Sequence, residues 1–438
     1  MATSSKVNTL RSCEEVVFVS TKSSEEGSWN VASWDARTGN LLQTHRHGSS
    51  SPHTLCMLNG ECILAASHSK PVIHVWNMLR QGQKHRKLIC GAKIAALATS
   101  PDNNWIAAGM EDKIYIWQVC TGNLYSVLSH SSVEVKCLKF TPSGQHLVSA
   151  YKDGSVCVWE LQDAVTLDPH RINEVRPVNT FFGHSGEVTD LHISLSNTVV
   201  TCGTDFSVRV WSLFSSEELK MFELGTAVTS VVMDHSELTL YAGDANGNVF
   251  SIDLHHKPAV RSVHLDVREP SDGFIVYPAH SAAVRRLCLS QDNVRIVSAS
   301  DDMTVKIWSL ISTVHPITID LNEQVCDLLV TPVPAALVNP DAKPRVFLSN
   351  LKRNIHEVEA DGAEDEIFID IPVKLPQVSK PQMQMPTSGV EETSVTMQGN
   401  NSSLLKKHPD VVSLKDKANK LKKANEEIYQ FALKEIIK

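Results

Sequence analysis

GHSGEVTDLHISLSNTVVTCGTDFSVRVW, residues 183–211, contains runs of alternating apolar residues separated by short polar turns. One run, residues 198–203, leads into a polar turn, and the next run closes at Trp211. Alternation with a period of two is typical of strands with one buried face. The stretch therefore predicts consecutive short strands joined by tight turns.

The run that closes at Trp211 recurs along the chain. Six tryptophans end such runs, and the first four are separated by 42, 41 and 42 residues. They are Trp34, Trp76, Trp117, Trp159, Trp211 and Trp308. A seventh run, VFSIDL at 249–254, has Ile252 at this position. A second alternating run precedes most of these runs, and we predict that each unit supplies four strands. Four-stranded units at the spacing of the tryptophans predict an all-β fold, the WD-repeat β-propeller.

Three units share four residue types: a histidine before the first strand, a serine or threonine in the second, an aspartate in the next turn and a tryptophan in the third strand. The sets are His184, Thr201, Asp205 and Trp211; His280, Ser298, Asp302 and Trp308; and His130, Ser149, Asp153 and Trp159. These are the positions of the WD-repeat hydrogen-bond tetrad. A catalytic nucleophile occurs once in a site, whereas this set recurs at the repeat period, so we predict a structural role.

Composition and charge narrow the functional classes. The chain has 438 residues, of which 42% are hydrophobic and 21% charged, so a packed core is expected. A net charge of −8 argues against a surface that binds nucleic acid throughout. Short basic runs at 84–87 and 420–423 leave local RNA contact or nuclear import open. No apolar run approaches the ~20 residues of a membrane helix, so no membrane partner is expected.

Cofactor chemistry is not indicated. The ten cysteines include no Cys-x-x-Cys pair, and most lie in strand patterns, which favours reduced core thiols over disulfides or zinc. Residues 243–248 lack the Gly-Lys-Ser/Thr ending of a phosphate loop. We therefore expect no cofactor, no metal and no catalytic residue.

The number of blades depends on how the ring closes. The first unit lacks its first strand, and the apolar run 325–333 could supply it, which gives seven blades. Closure is needed because an open ring would leave a sheet edge unpaired. The alternative is an eighth, weaker unit. Its runs would be 325–333, 345–351, 355–360 and 366–371.

Three long connections are predicted to emerge on one face of the ring. Two insertions, 162–178 and 255–273, lie between the third and fourth strands of their units, and the connection 332–344 lies between a first and a second strand. Insertions gathered on one face of a repeat array often mark the binding face. Tolerated surface loops are the alternative.

The propeller is assigned to residues 1–372, and two further segments follow it. Residues 373–408 are rich in Pro, Gln, Ser, Thr and Met, which predicts a disordered linker. Residues 409–438 contain a start signal at Ser413 and Asp416 with no Gly or Pro after it, which predicts a helix.

The predicted C-terminal helix carries an apolar stripe interrupted by one asparagine. Its residues are Leu414, Ala418, Leu421, Asn425, Ile428, Phe431 and Ala432. A lone asparagine in such a stripe fixes register in paired helices. An isolated helix of this length is marginal in water, so we predict that it binds a partner or a second copy. Packing against its own propeller is the alternative.

Four segments together resemble the WD repeat-containing protein 18 family. They are CGAKIAALATSPDNNWIAAGMEDKIYIWQVCTGNLYSVLSH at 90–130, LDPHRI at 167–172, GNVFSIDL at 247–254 and EEIYQFALKEII at 426–437. The resemblance extends from Trp34 to the end of the chain. Within it, the plant root initiation defective proteins, tied to cell proliferation in meristems, are expected to be the most similar.

The resemblance implies a non-enzymatic scaffold subunit of the complex that processes the second internal transcribed spacer of ribosomal RNA and matures the large ribosomal subunit (pre-60S). It implies a nuclear and partly nucleolar location. It also implies assembly with a helical-repeat scaffold subunit and a small subunit, which together recruit an AAA-type ATPase to the pre-60S particle.

Two other functional classes remain open from the sequence. A substrate-receptor propeller of a ubiquitin ligase would repeat a Trp-Asp-x-Arg ending, which this chain has only at residues 34–37. A propeller hydrolase would need an unrepeated cluster of acids or histidines at the centre of the ring, and the sequence indicates none.

Overall fold

The computed structural model describes residues 14–22, 29–78, 85–165, 175–255, 261–265, 273–311, 315–338 and 348–352. These residues form 29 strands, arranged in seven sheets, and two short helices. Each sheet is one blade, and the blades are numbered in chain order. Among the described residues, no helix is long and apolar enough to cross a membrane.

The first four blades contain four strands each, ordered from the innermost strand outward. Blade 1 contains β29 (Val325–Pro332), β1 (Glu15–Thr21), β2 (Trp29–Asp35) and β3 (Leu41–Arg46). Blade 2 contains β4 (Cys56–Leu58), β5 (Cys62–Ala66), β6 (Val72–Asn77) and β7 (Arg86–Ile89). Blade 3 contains β8 (Ile94–Thr99), β9 (Trp105–Met110), β10 (Lys113–Gln118) and β11 (Leu124–Ser129). Blade 4 contains β12 (Val135–Phe140), β13 (His146–Tyr151), β14 (Val156–Glu160) and β15 (Asn179–Phe181).

The last three blades include one sheet with a fifth strand. Blade 5 contains β16 (Val188–Ile193), β17 (Thr198–Gly203), β18 (Ser207–Ser212), β19 (Glu218–Glu223) and β23 (Ser262–His264). Blade 6 contains β20 (Val228–Met233), β21 (Thr239–Asp244), β22 (Asn248–Asp253) and β24 (Phe274–Pro278). Blade 7 contains β25 (Val284–Leu289), β26 (Arg295–Ser300), β27 (Thr304–Ser309) and β28 (Ile317–Asp320).

The ring closes through blade 1, as the sequence predicted. Strand β29 pairs antiparallel with β1, with Phe18 opposite Leu329. The prediction of seven blades is therefore confirmed. In the eight-bladed alternative residues 345–351 would form a strand, but residues 348–352 contain none. The runs 355–360 and 366–371 lie outside the described residues.

The core lies between neighbouring blades, because alternating strand residues from two sheets meet there. The cluster between blades 7 and 1 includes Val17, Trp34, Val297, Ile307 and Leu328, all less than a tenth exposed. Burying one such side chain stabilises a fold by about 1.5–3 kcal/mol. Residues from the two ends of the propeller therefore stabilise the closed ring directly.

The two insertions pack partly on the propeller. The first begins with the short helix α1 (Leu161–Ala164), whose Ala164 is buried against blade 4. The second contains β23, which pairs in parallel with β19 of blade 5, with Val263 opposite Phe222. The insertion from blade 6 thus covers the outer edge of its neighbour, which the sequence pattern did not predict.

The chain after β29 continues along the same face as the insertions. The helix α2 (Ala335–Val338) buries Ala336 in a cluster that includes Val16 and Phe18 of blade 1. We call residues 348–352 the docked segment, since its Leu348 is 7% exposed in the cluster between blades 2 and 3. We call this side of the ring the insertion face. The opposite face carries the turns between second and third strands.

Candidate functional site

Blade 5 brings all four predicted tetrad residues together. The Nδ1–H of His184 donates to Asp205 Oδ2 at 2.9 Å, and its Nε2 accepts from the hydroxyl of Thr201 at 2.8 Å. The indole of Trp211 donates to the same hydroxyl oxygen at 2.9 Å. Burial alone would raise the pKa of Asp205, but the hydrogen bonds it accepts, with that of His184 the largest, lower it to about 2. The carboxylate is therefore held ionised within the blade.

Blade 7 repeats this arrangement. His280 pairs with Asp302 Oδ2 at 3.0 Å and with Ser298 Oγ at 2.8 Å, and the indole of Trp308 donates to the same Oγ at 3.0 Å. Burial lowers the pKa of His280, so its ring is neutral at pH 7. The hydroxyl-bearing residues Thr201 and Ser298 are both 0% exposed. A substrate therefore cannot reach either hydroxyl in the folded blade.

Blade 4 brings together only parts of its predicted tetrad. The indole of Trp159 donates to Ser149 Oγ at 2.8 Å. Separately, Asp153 accepts the backbone N–H of Ser155 at 3.0 Å and its hydroxyl at 2.6 Å. The aspartate thus stabilises its own turn and is not joined to the tryptophan.

The structure does not bring His130 into this tetrad, which corrects the sequence expectation. Its ring lies beside that of Tyr151, with centroids 6.0 Å apart, and its described contacts include no hydrogen bond to the serine or aspartate of the blade. Five positions separate His130 from Val135 at the start of its strand, whereas four separate His184 from Val188. The extra residue shifts the histidine away from its acceptors.

Blades 2 and 3 have tryptophans whose indole N–H donates elsewhere. The residue at the tetrad-hydroxyl position of the second strand, two beyond the one paired with the tryptophan, holds no hydroxyl. It is Ala65 in blade 2 and Ala108 in blade 3, since Trp76 pairs with Ile63 and Trp117 with Ile106. Trp76 donates to the backbone carbonyl of Arg46 at 3.0 Å, and Trp117 donates to that of Lys352 at 2.8 Å. Backbone from another part of the chain therefore replaces the missing hydroxyl.

The docked segment is held by several further contacts. The guanidinium of Arg86 donates to the carbonyl of Leu348 at 2.7 Å, and the N–H of Lys352 donates to the carbonyl of Gly122 at 2.8 Å. A Cβ on Gly122, which has φ of +69°, would lie 2.1 Å from the carbonyl oxygen of Asn350. Only glycine at position 122 allows the segment to approach this closely.

A buried ion-pair cluster lies at the centre of the ring. Arg286 of blade 7 donates to Asp190 of blade 5 at 2.5 Å, and its Nε lies 3.2 Å from a carboxylate oxygen of Asp327 in blade 1. The side chains of the two aspartates are 1% and 3% exposed. Asp327 also accepts the N–H of Leu55 at 2.9 Å, and Asp190 accepts that of Val231 at 3.2 Å. The cluster therefore joins five blades.

His53 completes this cluster on the side of the opposite face. The guanidinium of Arg286 donates to its Nδ1 at 2.9 Å. Burial and then the charge of Arg286 lower the pKa of His53 to about 4, so the ring is neutral. His53, Asp190 and Cys137 have the spacing of metal ligands, with ligand atoms within 4.8 Å of one another. Since the guanidinium already binds the histidine and the aspartate, it takes the position of the cation.

The titration properties of the cluster fit an ion-pair role. Burial raises the pKa of Asp190, but the charges of Arg286 and Lys139 and the hydrogen bond from Val231 together outweigh burial and lower the pKa. Burial raises the pKa of Cys56 to about 12 and that of Cys288 to about 11. Such thiols stay protonated at neutral pH and are poor nucleophiles. All nine cysteines among the described residues are free thiols.

Sequence reasoning missed this cluster and indicated no unrepeated charged group at the centre. The sequence signal lies in the innermost strands of six blades. In each, a β-branched residue is followed two positions later by a residue that differs between blades, and three positions later by an aliphatic residue. The variable residues are Ala96, Cys137, Asp190, Ser230, Arg286 and Asp327 in blades 3, 4, 5, 6, 7 and 1. Aligning these strands would have brought the two acids and the arginine to one level of the ring.

A cavity of about 840 Å³ opens above the cluster on the opposite face. Its lining includes Ser51, Lys93, Glu111, Glu134, Lys136 and Glu187. Lys136 lies 3.3 Å from the carboxylate of Glu134 and 2.9 Å from that of Glu187. Acidic and basic side chains thus pair across blades 4 and 5.

The insertion face carries exposed apolar side chains on blades 5 and 6. Leu195, Phe214 and Leu238 are 65%, 68% and 51% exposed, and all three lie in turns of this face. Ser196 donates to Glu237, which connects the turns that carry two of them. The predicted helix residues Leu414, Ala418, Leu421, Asn425, Ile428, Phe431 and Ala432 lie outside the described residues.

Comparison with protein families identifies four repeats. The family described as WD domain, G-beta repeat matches residues 83–118, 122–160, 175–212 and 274–309. Each matched stretch begins in or just before the outermost strand of one blade and ends in the third strand of the next. The sequence repeat and the blade are therefore offset by one strand, which is why a C-terminal strand completes blade 1.

Comparison with individual proteins finds relatives along most of the chain. WD repeat-containing protein 18 of Mus musculus is 30% identical over 415 residues, which cover 92% of this chain and 94% of the relative. Pre-rRNA-processing protein IPI3 of Yarrowia lipolytica is 28% identical over 292 residues, 63% of this chain and 67% of the relative. Protein ROOT INITIATION DEFECTIVE 3 of Arabidopsis thaliana is 24% identical over 319 residues, 69% of this chain and 68% of the relative. The plant relative is thus less similar than the mouse protein, contrary to the expectation from sequence.

Proposed function

Because the chain belongs to the WD repeat-containing protein 18 family, we propose that it is a non-enzymatic scaffold subunit of a nuclear complex that processes pre-rRNA spacers and matures the large ribosomal subunit. The Yarrowia lipolytica relative is named a pre-rRNA-processing protein, which supports a role in ribosome biogenesis. Such a role also supports a nucleoplasmic and nucleolar location and a contribution to cell proliferation.

The burial of the tetrad hydroxyls and of the central carboxylates is the observation that supports the non-enzymatic role. The hydroxyls of Thr201 and Ser298 are fully buried and bonded to histidine and tryptophan. At the centre, Asp190 and Asp327 are paired with Arg286. A general base must reach a proton of the substrate, and a paired, buried carboxylate cannot do so. The propeller therefore acts by binding.

The insertion face is the surface on which we place the partner. Leu195, Phe214 and Leu238 expose apolar area there, and the insertions after β14 and β22 emerge on the same side. Apolar side chains gathered on an exposed surface are typical of protein interaction sites. We propose that a helical-repeat scaffold subunit binds this face. A small subunit, the AAA-type ATPase and the pre-60S particle would then associate through the assembled complex.

Residues 409–438 are proposed as a second contact. The stripe that contains Leu421 and Ile428 would be buried against a partner helix or a second copy of this chain. The propeller, residues 1–372, and the linker, residues 373–408, would then tether this helix to the ring. Direct RNA contact by the basic run at 420–423 is not needed for this function.

The helix proposal is tested by pull-down from nuclear extract with the full-length chain. Leu421→Asp combined with Ile428→Asp places two charges in the proposed seam, so partner recovery should be lost while the melting temperature of the propeller stays unchanged. The control is Asn419→Asp combined with Gln430→Asp, which adds the same charge away from the stripe and should recover partners normally. Normal recovery by the first variant would refute the helix contact.

A ubiquitin-ligase receptor is the less supported function. The Trp-Asp-x-Arg ending expected of such a receptor occurs once, at residues 34–37. In this ending Asp35 is fully buried, accepting the N–H of Arg37 at 2.9 Å and the hydroxyl of Thr38 at 2.7 Å. The aspartate of this motif thus stabilises its own turn.

A further inference from the structure

The surface of blades 1 and 2 differs in charge from the rest of the chain. The whole chain has a net charge of −8. Among the described residues between 29 and 93, the two acidic side chains, Asp35 and Glu61, are only 0% and 7% exposed. The exposed charged residues in this range are all basic: Arg37, Arg46, Lys70, Arg86, Lys87 and Lys93. This part of the ring therefore presents positive charge in a protein that is acidic overall.

The basic side chains of this region have no carboxylate partner among the described residues. The ion pairs that the structure describes for lysine and arginine lie in blades 4, 5 and 7 and at the centre of the ring. Arg86 donates to the carbonyl of Leu348 and to the side chain of Asn350, so its charge is bonded but not neutralised. A surface that keeps one sign of charge unpaired attracts a ligand of the opposite sign.

Part of this charge is fixed in the outermost strand of blade 2. Arg86 and Lys87 belong to β7 and pair with Val75 and His74 of β6. Successive side chains of a strand point to opposite faces of the sheet. Arg86 therefore faces the docked segment, and Lys87 lies on the other face, on the side of His74. The charges of Arg86 and Lys87 are thus part of the folded surface and do not belong to a free linear import signal.

Histidine rings lie beside Lys87. The rings of His47 and His85 are stacked, with centroids 5.7 Å apart and planes 21° apart, and the rings of His85 and His74 are 5.5 Å apart. Burial first, and then positive charges that include Lys87, lower the pKa of both His74 and His85. Lys70 contributes to the same shift at His74. Two lysines therefore lie close to the stacked rings.

The connection from blade 1 is held in place next to these rings. The indole of Trp76 donates to the carbonyl of Arg46 at 3.0 Å. A Cβ on Gly48 would lie 2.8 Å from a ring carbon of Trp76, so the backbone passes directly over the indole. His47 lies between these two contacts, is exposed and has φ of +67°. Arg46 and His47 are therefore presented by a fixed turn.

We propose that this surface binds single-stranded RNA. We call it the basic stripe, and it consists of Arg46, His47, Lys70, His85 and Lys87. Lysine and arginine side chains neutralise backbone phosphates without regard to base sequence. Histidine rings are among the groups on which unpaired RNA bases stack, whereas the bases of a duplex are already stacked on each other. The choice of RNA among polyanions rests on the proposed role in pre-rRNA processing.

The phosphate contacts predict how binding depends on salt. The fluorescence anisotropy of a labelled oligouridylate of about 12 nucleotides is measured with the purified full-length chain over a series of salt concentrations. Each phosphate contact contributes about 0.7 to the slope of log affinity against log salt for a single strand. Lys70→Gln combined with Lys87→Gln should therefore weaken binding and reduce this slope by about 1.4. Both side chains are exposed, so the melting temperature should be preserved.

Lys113→Gln combined with Lys152→Gln is the matched control. It removes the same charge from exposed positions of blades 3 and 4, where Asp112 and Asp153 are the neighbouring residues in the chain. This variant should keep the affinity and the salt slope of the natural chain. An equal loss of affinity in the two double variants would overturn the proposal, because binding would then follow net charge alone.

His47→Asn tests the stacking contact separately. Asparagine tolerates the positive φ of this position but has no aromatic ring. The affinity should fall at least about fivefold, which is the lower end of what stacking on an aromatic side chain contributes per base, while the salt slope stays unchanged. An unchanged affinity would contradict the assignment of the stacked histidines to the RNA site.

Three further outcomes would overturn the proposal. The first is no binding of the oligouridylate by the natural chain at physiological salt. The second is equal affinity and slope in the Lys70 and Lys87 double variant, because the RNA would then be bound by other groups, such as the basic run at 420–423. The third is displacement of the RNA by an equal charge concentration of polyglutamate, because the surface would then fit an acidic protein. These measurements use no partner protein, so their failure is distinguishable from failure of the proposed function in the pull-down.

Discussion

Blades 5 and 7 differ from blades 2 and 3 in what satisfies the tryptophan of each blade. In blades 5 and 7 the indole donates to a buried hydroxyl. The hydroxyl is bonded to a histidine, and the histidine is bonded in turn to an aspartate of the same blade. In blades 2 and 3 the hydroxyl is replaced by alanine, and the indole donates to the carbonyl of Arg46 or Lys352. The tryptophan is kept while its acceptor changes.

This difference shows that the two pairs of blades depend on different parts of the chain. A blade with a tetrad carries its own buried hydrogen bonds, so it is complete within one repeat. Blade 3 needs the docked segment, which lies more than 200 residues further along the chain. The docked segment is thus structural for an N-terminal blade.

The largest loss of stability is expected from disrupting the buried ion pairs at the centre of the ring, which join blades with a tetrad to blades without one. Arg286→Met would leave Asp190 and Asp327 buried without their cation, which costs about 3–5 kcal/mol of unfolding free energy. Arg285→Met is the control, because its side chain is 49% exposed in its ion pair with Asp301 and should cost less than about 1 kcal/mol. Urea denaturation of both variants measures the difference. Equal costs would mean that the cluster does not stabilise the ring.

The complete and incomplete tetrads can be compared through their aspartates. Asp205→Ala removes the acceptor of His184 and should cost about 1–3 kcal/mol, with any loss of function following the loss of folding. Asp153→Ala in blade 4 removes only contacts within a turn and should cost less. Thermal unfolding of the two variants provides the test. A larger cost at Asp153 would show that tetrad completeness does not determine stability.

Replacing the tryptophans should change the stability less than the substitutions above. Trp117→Phe removes one hydrogen bond, to Lys352, and the net value of such a bond is about 1 kcal/mol. Trp211→Phe should cost more, since the Thr201 hydroxyl, which is also bonded to His184, loses its indole donor within a connected network. Denaturant midpoints of the two variants measure this. If Trp117→Phe were the more destabilising change, blade 3 would be the more dependent on its tryptophan.

The smallest expected effect is a pH dependence in blade 5. Burial opposes ionisation, but the hydrogen bonds to Asp205 lower its folded pKa to about 2, below the unfolded value of about 3.9. Its ionised form therefore stabilises the fold above about pH 4, and this contribution is lost as the pH falls through about 2. The stability gap between the natural chain and Asp205→Ala should narrow between pH 7 and pH 3 in urea titrations. A gap that widens would contradict the assignment.

Features that repeat along the chain were predictable from the sequence. The period of the tryptophans predicted the blades, and the missing first strand of the first unit predicted closure by residues 325–333. The tetrad sets of blades 5 and 7 were also identifiable, because each lies within one repeat at fixed spacing. His130 shares the residue type but has one additional residue before its strand, and spacing to the strand decides the contact.

Features that depend on ring closure were not predictable in the same way. Arg286, Asp190 and Asp327 lie on three strands of different repeats, so their contact follows only from the strand register and the circular order of the blades. The same holds for the docked segment on Trp117 and for the parallel strand β23 on blade 5. Each is a contact between repeats, and a periodic pattern describes each repeat by itself.

The proposed role of this propeller as a scaffold for pre-rRNA processing is tested most directly by removing both proposed contacts in cells. The natural chain is replaced by one that ends at residue 408 and carries Leu195→Asp, Phe214→Asp and Leu238→Asp, three changes at exposed positions of the insertion face. Spacer-containing pre-rRNA is measured by hybridisation, and copurifying nuclear proteins are identified by mass spectrometry. We expect accumulation of unprocessed spacer RNA and loss of the helical-repeat scaffold subunit, with the propeller still folded. Normal spacer processing together with full recovery of nuclear partners would contradict the scaffold role.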